Sequence, residues 1–375
     1  MADRVLVTGG AGFIGRHVVR ALLARGDTVR IYDSLIDQVH PHGATPESVP
    51  DDVELIQADI RDSEQLGRAL NGIDKVVHLA ADVGVGQSMY LIERYVSVND
   101  LGTACLCQAL IDHPVARVVV ASSMSVYGEG LYTATDGTVM QDVLRPTRDQ
   151  MGRHETASWD PIGPDGLPLK PAATPEWKQT RLASVYAITK YMQERMILCA
   201  PPAYGIEGVA LRLFNVYGPG QALSNPYTGV LAIFASRLLN RERPLVFEDG
   251  EQRRDFVHVD DVVQAFLLAL DHPAAANRVF NIGSGRDVSI AEVARAAAAA
   301  MHLPELEPEF VGKARSGDIR HCFSDITLAR EVLGFSPTRT FENALPEQME
   351  WVRRQQATDR VQEARAELEA RGLVA

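Results

Sequence analysis

The sequence lacks any long apolar run, it contains few cysteines, and it has fewer basic than acidic residues. None of its apolar stretches approaches the ~18–20 residues that cross a membrane. Its first residues lead directly into a strand-like run, so we expect no signal peptide and a cytoplasmic protein. A formal net charge of -12 argues against a nucleic acid or an anionic membrane as partner. The four cysteines are scattered, which predicts neither a disulfide framework nor a metal site.

Residues 4–33 have the pattern of a strand, a helix and a second strand. The first strand leads into "TGGAGFIG", residues 8–15, and an amphipathic run follows. Its glycines fit the dinucleotide fingerprint as Gly10-x-Gly12-x-x-Gly15, and a wider variant when counted from Gly9. Glycine permits a positive φ and lets the backbone touch a pyrophosphate. The pattern therefore predicts a dinucleotide site at the start of the helix, where unpaired N–H groups face the phosphates.

An acidic residue, Asp33, ends the second strand, 18 residues after Gly15. A carboxylate at this place accepts a hydrogen bond from the ribose 2′-hydroxyl and repels a 2′-phosphate. The sequence therefore predicts NAD as the cofactor rather than NADP.

Strand-like and helix-like runs continue to alternate as far as residue 121. This alternation indicates an α/β fold with a Rossmann-type, doubly wound parallel sheet, in which ligands bind at the C-terminal ends of the strands. The residues expected at those ends are Asp33, Asp59, Ala80, Ala81, Ser122 and Ser123.

The segment "SVYAITK", residues 184–190, places Tyr186 and Lys190 four residues apart on one helix face. A phenol is a poor base at neutral pH because its pKa is about 10. A cation at ~4 Å is worth roughly 4 kcal/mol at an effective dielectric of 20, enough to lower that pKa by about three units. After an NAD fingerprint and two serines at a strand end, the pair predicts that Tyr186 removes a proton from a hydroxyl of the substrate.

Seven motifs occur in one order along the chain: "TGGAGFIG", "VHLAA", "SSMSVYG", "YAITK", "RLFNVYGPG", "RRDFVHVDD" and "FNIGSG". In this combination the chain resembles the extended short-chain dehydrogenase/reductases, and among them the NAD-dependent nucleotide-sugar epimerases and dehydratases. The resemblance implies that Ser123 binds the sugar C4 oxygen, that Tyr186 is the general base and that Lys190 is its partner. The residues that it implies for NAD are Gly9, Gly12, Phe13, Ile14, Gly15, Asp33, Asp59, Ile60, Leu79, Ala80, Ala81, Asn99, Ser122, Tyr186 and Lys190.

The resemblance also places a nucleotide-sugar substrate in the second half of the chain. It implies that Asn215 touches the substrate diphosphate, and Arg254 and Arg315 offer guanidinium groups that bind phosphate in pairs of hydrogen bonds. Asp318 can accept from a ribose hydroxyl. The alternative interpretation of each of these charges is a solvated surface group. The other expected substrate contacts are Gln87 and Ser88, in the glycine-rich segment 82–90.

The family oxidises sugar C4 to a ketone and then diverges. An epimerase returns the hydride to the other face, whereas a 4,6-dehydratase eliminates water and needs an extra acid and base near C5–C6. The resemblance implies that a dehydratase carries an Asp-Glu pair directly after the catalytic serine or threonine, and that an enzyme that removes the C5 carboxylate commonly carries a Glu there. Those positions are Met124 and Ser125, which favours a 4-epimerase, an isomerase, over a dehydratase or a 4-dehydrogenase/reductase. Both UDP-hexoses and dTDP-6-deoxyhexoses stay open as substrates. A non-catalytic NAD-binding module is the alternative from another class.

We expect an NAD-binding domain over residues 1–217, a discontinuous substrate lobe within 218–350, and a C-terminal helical tail over 351–375. The charged end of this tail, residues 358–375, predicts an exposed helix, and the sequence leaves open whether it docks or extends. An insertion over about 131–171 predicts a lid, an interaction loop or disorder. It holds one histidine, His154, and no cysteine, so no metal site is expected there. With "VGVGQSMY", it resembles the dTDP-L-rhamnose 4-epimerase type within the family. The resemblance further implies a homodimer built on two helices, Tyr90–Leu110 and Tyr186–Ala200.

Overall fold

We analyse a computed structural model of the chain, which describes residues 2–41, 43–45, 48–145 and 159–374. A seven-stranded parallel sheet is its largest element. Its strands are β1 (Arg4–Thr8), β2 (Thr28–Asp33), β3 (Glu54–Gln57), β4 (Lys75–His78), β5 (Arg117–Ser123), β9 (Glu207–Leu213) and β14 (Arg278–Ile282). Their order across the sheet is β14-β9-β5-β4-β1-β2-β3, which confirms the predicted doubly wound α/β fold.

Helices cover both faces of this sheet. The α-helices are α1 (Phe13–Ala24), α2 (Ser63–Leu70), α3 (Val85–Ser88), α4 (Ile92–Tyr95), α5 (Gly102–Asp112), α6 (Val185–Ala203), α7 (Val230–Leu239), α8 (Val259–Asp271), α9 (Ile290–Ala300), α10 (Thr327–Leu333), α11 (Phe341–Arg353) and α12 (Val361–Ala370). Helices α1 and α8 pack on one face through side chains such as Val18 and Phe266. On the other face, α2, α5 and α6 contribute side chains such as Leu66, Leu106 and Ile197. Within the described ranges, no helix is both long and apolar enough to span a membrane.

The helix expected over Tyr90–Leu110 is interrupted by a π-helical turn. The turn spans Val96–Leu101, between α4 and α5. It carries the buried Asn99, whose side chain accepts from the Asp82 N–H at 2.7 Å and donates to the Asp82 carbonyl at 3.1 Å. The wider turn accommodates this side chain against the chain that follows β4, and such turns are frequent at functional sites.

The second half of the chain adds small sheets and its own apolar core. The short strands are β10 (Asn215–Tyr217), β11 (Leu245–Val246), β12 (Arg253–Arg254), β13 (Phe256–His258), β15 (Val288–Ser289), β16 (Glu309–Phe310) and β17 (His321–Cys322). They pair as β10 with β13, β11 with β16, and β12 with both β15 and β17. Helices α7, α9 and α11 enclose a core that includes Phe234, Val293 and Met349. The same half contributes β14 to the large sheet.

The described parts of the insertion form a small antiparallel sheet. Its strands are β6 (Leu131–Thr133), β7 (Val139–Met140) and β8 (Lys170–Ala172), in the order β7-β6-β8. The Gly130 N–H donates to the His321 carbonyl at 2.8 Å, which joins the start of this sheet to β17. Residues 146–158, and His154 with them, lie outside the described residues.

Candidate active site

A cavity of 1250 Å³ extends along the C-terminal ends of β1, β2, β4 and β5 and into the second half of the chain. This is where a doubly wound sheet binds its ligands. Most of the residues singled out from the sequence line it. They are Gly9, Gly12, Phe13, Ile14, Gly15, Asp33, Asp59, Ile60, Leu79, Ala80, Ala81, Ser122, Ser123, Tyr186, Lys190, Asn215, Arg254, Arg315 and Asp318.

The turn between β1 and α1 depends on its lack of side chains. Gly9 has a φ of 69°, and a Cβ there would lie 2.8 Å from the Ala80 backbone nitrogen. A Cβ on Gly15 would lie 2.3 Å from the Gly9 carbonyl oxygen, so only glycine lets α1 begin so close to the turn. Gly12 precedes the first helical residue, and no side chain caps its N–H groups. The helix start therefore presents bare backbone donors to the cavity, as a pyrophosphate requires.

Asp33 closes one end of this part of the cavity. Its carboxylate accepts from the N–H groups of Ala11 (3.1 Å) and Leu35 (2.9 Å), which fix it at the end of β2. A turn without side chains and a fixed carboxylate beside it fit the diphosphate and ribose of NAD. On the neighbouring strand end, Asp59 is held by Arg61 in an ion pair of 2.6 Å.

The two serines at the end of β5 have different surroundings. The Ser122 hydroxyl donates to Glu194 at 2.7 Å, and Glu194 is buried in an ion pair with Arg212. The Ser123 hydroxyl donates to that of Ser125 at 3.1 Å and accepts from the Ser125 N–H at 3.1 Å. Ser122 is thus tied into the core network, whereas Ser123 sits in a short turn that faces the cavity.

Tyr186 and Lys190 both line the cavity from α6. Among the described residues, no hydrogen bond joins the Lys190 ammonium to the Tyr186 phenol. The Lys190 Nζ donates instead to Gln193 Oε1 at 2.6 Å. The pKa of Tyr186 is raised, because burial outweighs the lowering by the Ser123 hydroxyl. The causes of this shift are burial and Ser123, and the expectation that Lys190 lowers the pKa of Tyr186 stays a prediction.

Burial also changes the titration of Lys190. It lowers the pKa of the ammonium to about 7, against the opposing influence of Asp100 and Glu194. Burial raises the pKa of the Asp100 carboxyl in turn, to about 6. The pKa values of Lys190 and Asp100 therefore both lie near neutral pH, where a side chain can change its charge.

The positions after Ser123 hold no acid and no base. Met124 and Ser125 are both buried and line the cavity beside Ser123. The Met124 sulfur accepts weakly from the Asn215 side-chain amide at 3.5 Å, and Asn215 also donates to the Asp255 carbonyl. A thioether and a hydroxyl cannot exchange protons with a sugar near neutral pH.

The other end of the cavity carries guanidinium groups. Arg254 is buried and donates to the carbonyls of Arg253, Ile319 and Arg320, and it forms no ion pair with a carboxylate among the described residues. Arg315 pairs with Asp318 at 2.9 Å, and its guanidinium stacks 4.5 Å from the ring centre of Phe247. The nearby cations lower the pKa of Asp318 against its burial. A diphosphate and a ribose match this combination of charge and acceptors.

Three residues expected in the site lie behind its walls. Gln87 is buried and accepts from the Tyr95 hydroxyl at 3.1 Å. Ser88 accepts from the Tyr186 N–H at 3.0 Å and donates to Val85, which ties α3 to the start of α6. Asn99 also donates to Thr189 on α6 at 2.9 Å. Among the described residues, these three hold the cavity walls and do not line the cavity.

The sequence reasoning missed the contribution of α12. Val361, Ala364, Arg365 and Leu368 line the cavity, and Ala364 and Leu368 are buried. The sequence leaves the docking of this helix open, and in the structure one of its faces packs against the site. Its apolar residues recur at the i, i+3 and i+7 spacing of an amphipathic helix, which was the available signal.

Comparisons with known proteins point to the same cofactor and the same kind of enzyme as the cavity does. The model of the NAD dependent epimerase/dehydratase family matches residues 5–149 and 163–283. A dTDP-L-rhamnose 4-epimerase of Burkholderia thailandensis is 36% identical over 93% of this chain and 94% of its own. Two solved UDP-glucose 4-epimerases are also similar. The one from Thermotoga maritima, with UDP-glucose, is 31% identical with a TM-score of 0.75, over 93% of this chain and 98% of its own. The one from Thermus thermophilus, with NAD, is 30% identical with a TM-score of 0.73, over 94% of this chain and 99% of its own. The chain belongs to the NAD-dependent epimerase/dehydratase family.

Proposed function

We propose that the protein is an NAD-dependent 4-epimerase of nucleoside-diphosphate hexoses. The observation that carries this proposal is the composition of one wall of the cavity. Ser123, Tyr186 and Lys190 line it beyond the glycine turn, while Met124 and Ser125 replace the acid and base of a dehydratase.

In this proposal Tyr186 takes the proton of the sugar 4-hydroxyl and later returns it to the C4 oxygen. Ser123 donates to that oxygen and holds it beside the phenol. Bound NAD supplies the hydride acceptor at C4 and a positive charge that favours the phenolate. Because burial raises the pKa of Tyr186 in this structure, the base form has to be stabilised by nearby positive charge, which Lys190 and the cofactor can provide.

A 4-epimerase must let the 4-keto sugar rotate in the site, so that the hydride returns to the opposite face of C4. The segment that lines this part of the cavity includes Val83, Gly84, Val85 and Gly86, with small side chains and few hydrogen-bonding groups. A wall of this kind holds the sugar weakly, which suits rotation, while Arg254 and Arg315 can retain the diphosphate.

We infer dTDP-6-deoxyhexoses and UDP-hexoses as the substrate class. This inference rests on the similarity to the dTDP-L-rhamnose 4-epimerase and to the UDP-glucose 4-epimerases. The test incubates the purified protein with a panel of dTDP- and UDP-hexoses and follows interconversion by NMR. Interconversion of at least one 4-epimer pair is expected. If NAD is bound but no sugar of the panel changes, the catalytic proposal fails in favour of a non-catalytic NAD-binding module.

The same experiment in D₂O separates epimerisation from dehydration. Return of the C4 hydride leaves the product without deuterium, whereas elimination of water across C5–C6 brings solvent deuterium into the sugar. We expect an unlabelled product. Deuterium in the product, together with loss of the 6-hydroxyl, would assign a dehydratase despite Met124 and Ser125.

We also propose a homodimer that forms through α4, the π-helical turn and α6. These elements expose apolar side chains to solvent in the single chain: Ile92, Leu101, Ile188 and Met192. Light scattering should give a dimer for the wild type and a monomer for Ile188→Asp. Leu144→Asp, at an exposed apolar residue elsewhere, should stay dimeric. A wild-type monomer would contradict the proposal.

We propose a cytoplasmic location as well. The four cysteines are all free thiols, two of them buried, which suits a reducing compartment. Cell fractionation with an antibody against the protein tests this location directly.

A further inference from the structure

The C-terminal segment 361–374 forms part of the cavity wall. Ala364 and Leu368 turn one face of α12 inward, and each is less than a tenth exposed. The segment contacts both sides of the cavity mouth. On one side, a Cβ added at Gly86 would lie 3.4 Å from Leu368, and the Arg371 guanidinium stacks 4.5 Å from the ring centre of Tyr90.

On the other side, the segment is joined to the residues that precede Asp318. The Ser316 N–H donates to the Leu373 carbonyl at 2.8 Å, and Arg315 forms an antiparallel bridge with Val374. These are backbone contacts, so they fix the path of the chain next to the Arg315 side chain. The C-terminal segment therefore spans from the sugar side of the cavity to its cationic end.

Arg365 is the charged residue that α12 contributes to the cavity lining. Its Nε donates to Glu369 at 3.0 Å, and the same carboxylate oxygen accepts from the Lys313 ammonium at 3.1 Å. Neither Nη atom of Arg365 donates to any residue that the structure describes. A guanidinium has five N–H donors in a planar fork, so most of its capacity is available to a ligand.

The charges at this end of the cavity point to the chemistry of that ligand. Among the residues that line this end, Arg254, Arg315 and Arg365 are cations and Asp318 is a carboxylate. Beside Arg365, the charges of Lys313 and Glu369 offset each other. The Asp318 carboxylate is already occupied by Arg315. The balance is positive in a protein whose net charge is -12, which favours a bound anion of more than one charge.

We propose that Arg365 is a further substrate-binding residue, which donates to the diphosphate of the nucleotide sugar, and that segment 361–374 holds it at the cavity mouth. This inference rests on the proposed function for the identity of the substrate. Its test measures nucleotide binding without turnover, so that the role of Arg365 and the proposed 4-epimerase activity can fail separately.

Calorimetric titration with UDP and dTDP, and with uridine and thymidine as probes without phosphate, tests the role. Arg365→Ala should weaken binding of UDP and dTDP by roughly tenfold or more, because it removes charge-assisted hydrogen bonds. Affinity for the two nucleosides should not change. Arg365→Lys should recover part of the loss, and Gln362→Ala, at an exposed position on the same helix, should bind like the wild type.

Equal loss of nucleotide and nucleoside affinity in Arg365→Ala would overturn the inference, because it would indicate a displaced wall. Unchanged nucleotide affinity would also overturn it, as would a wild type that binds neither nucleotide. A wild type that binds UDP or dTDP through Arg365 but interconverts no sugar would contradict the proposed function and leave this inference standing. NAD content serves as the folding control, since the cofactor end is built from the first half of the chain.

Discussion

The Lys190 ammonium donates to Gln193 Oε1 at 2.6 Å, one turn beyond it on α6, and has no described hydrogen bond to Tyr186. The Gln193 amide is held in turn by the hydroxyl of Thr103 at 2.9 Å. This chain of contacts keeps a cation deep beside the cavity, where burial lowers its pKa to about 7. The charge that the proposed reaction needs is therefore held at a cost in stability.

Lys190→Met should stabilise the fold at low pH while it abolishes turnover. The pKa of Lys190 falls from its ordinary value of 10.5, which applies to the unfolded chain, to about 7 in the folded protein. The unfolded chain thus binds one more proton between these values, and wild-type stability rises with pH across that window. The advantage of the variant should be largest near pH 6 and smaller by roughly 2 kcal/mol near pH 9.

Urea denaturation of both proteins at the two pH values measures this difference. Asp100 and Glu194, the nearby carboxylates, are present in both proteins. An advantage that does not change with pH would show that Lys190 is not buried as a cation.

Tyr186→Phe should lower kcat by about 10²–10⁴ and leave the NAD content unchanged. The substitution removes the phenol oxygen but keeps the ring that lines the cavity. Tyr191→Phe is the matched control, because Tyr191 lies on the same helix and does not line the cavity. Turnover within a few-fold of the wild type in Tyr186→Phe would exclude this residue as the base.

Gly15→Ala should destabilise the fold by about 2 kcal/mol or more and weaken NAD binding. The new Cβ would lie 2.3 Å from the Gly9 carbonyl oxygen and 2.6 Å from the Gly10 Cα, and neither backbone atom can move without opening the turn. Gly67→Ala, in the middle of α2, should instead be neutral or stabilising by up to about 1 kcal/mol. The nearest described atom there is 3.4 Å away. Thermal unfolding with and without NAD compares the two, and equal effects would contradict the close packing of the turn.

Arg320→Met should cost about 3–5 kcal/mol of unfolding free energy. Arg320 is buried and pairs with Asp160 at 2.7 Å, Asp249 at 2.6 Å and Glu248 at 3.0 Å, so its loss removes one cation from the buried Glu248 and from two part-exposed carboxylates. Arg353→Met breaks an exposed pair with Glu350 and should cost less than about 1 kcal/mol. Denaturant titration of both variants provides the measurement. Similar losses in the two would show that the network around Arg320 contributes no more than a surface pair.

Local patterns were enough to predict the sheet and the NAD end of the cavity. The glycine turn, Asp33 and the serines of β5 are all fixed by short stretches of sequence that end a strand. Because parallel strands share one edge, their ends meet without any further information. The predicted α/β fold and NAD family are accordingly confirmed, whereas the role of each site residue stays a prediction.

Long-range packing decided the features that the sequence did not predict. Gln87 and Ser88 were expected to face the substrate, but the short α3 turns them towards Tyr95 and the start of α6. Arg365 lies in a helix whose many charges resemble a solvated surface. Only its docking against Gly86 and the chain around Arg315 places it at the cavity.

The strand β14 has a consequence for how such enzymes exchange parts during evolution. Residues 278–282 lie within the half of the chain that surrounds the substrate end, yet they pair with β9 in the large sheet, and α8 packs against α1. A recombination at one point in the middle of the chain would therefore transfer a strand and a helix of the cofactor scaffold along with the substrate end. We therefore expect chimaeras that exchange short segments on either side of β14, or residues of α12, to fold better than chimaeras with one crossover in the middle of the chain.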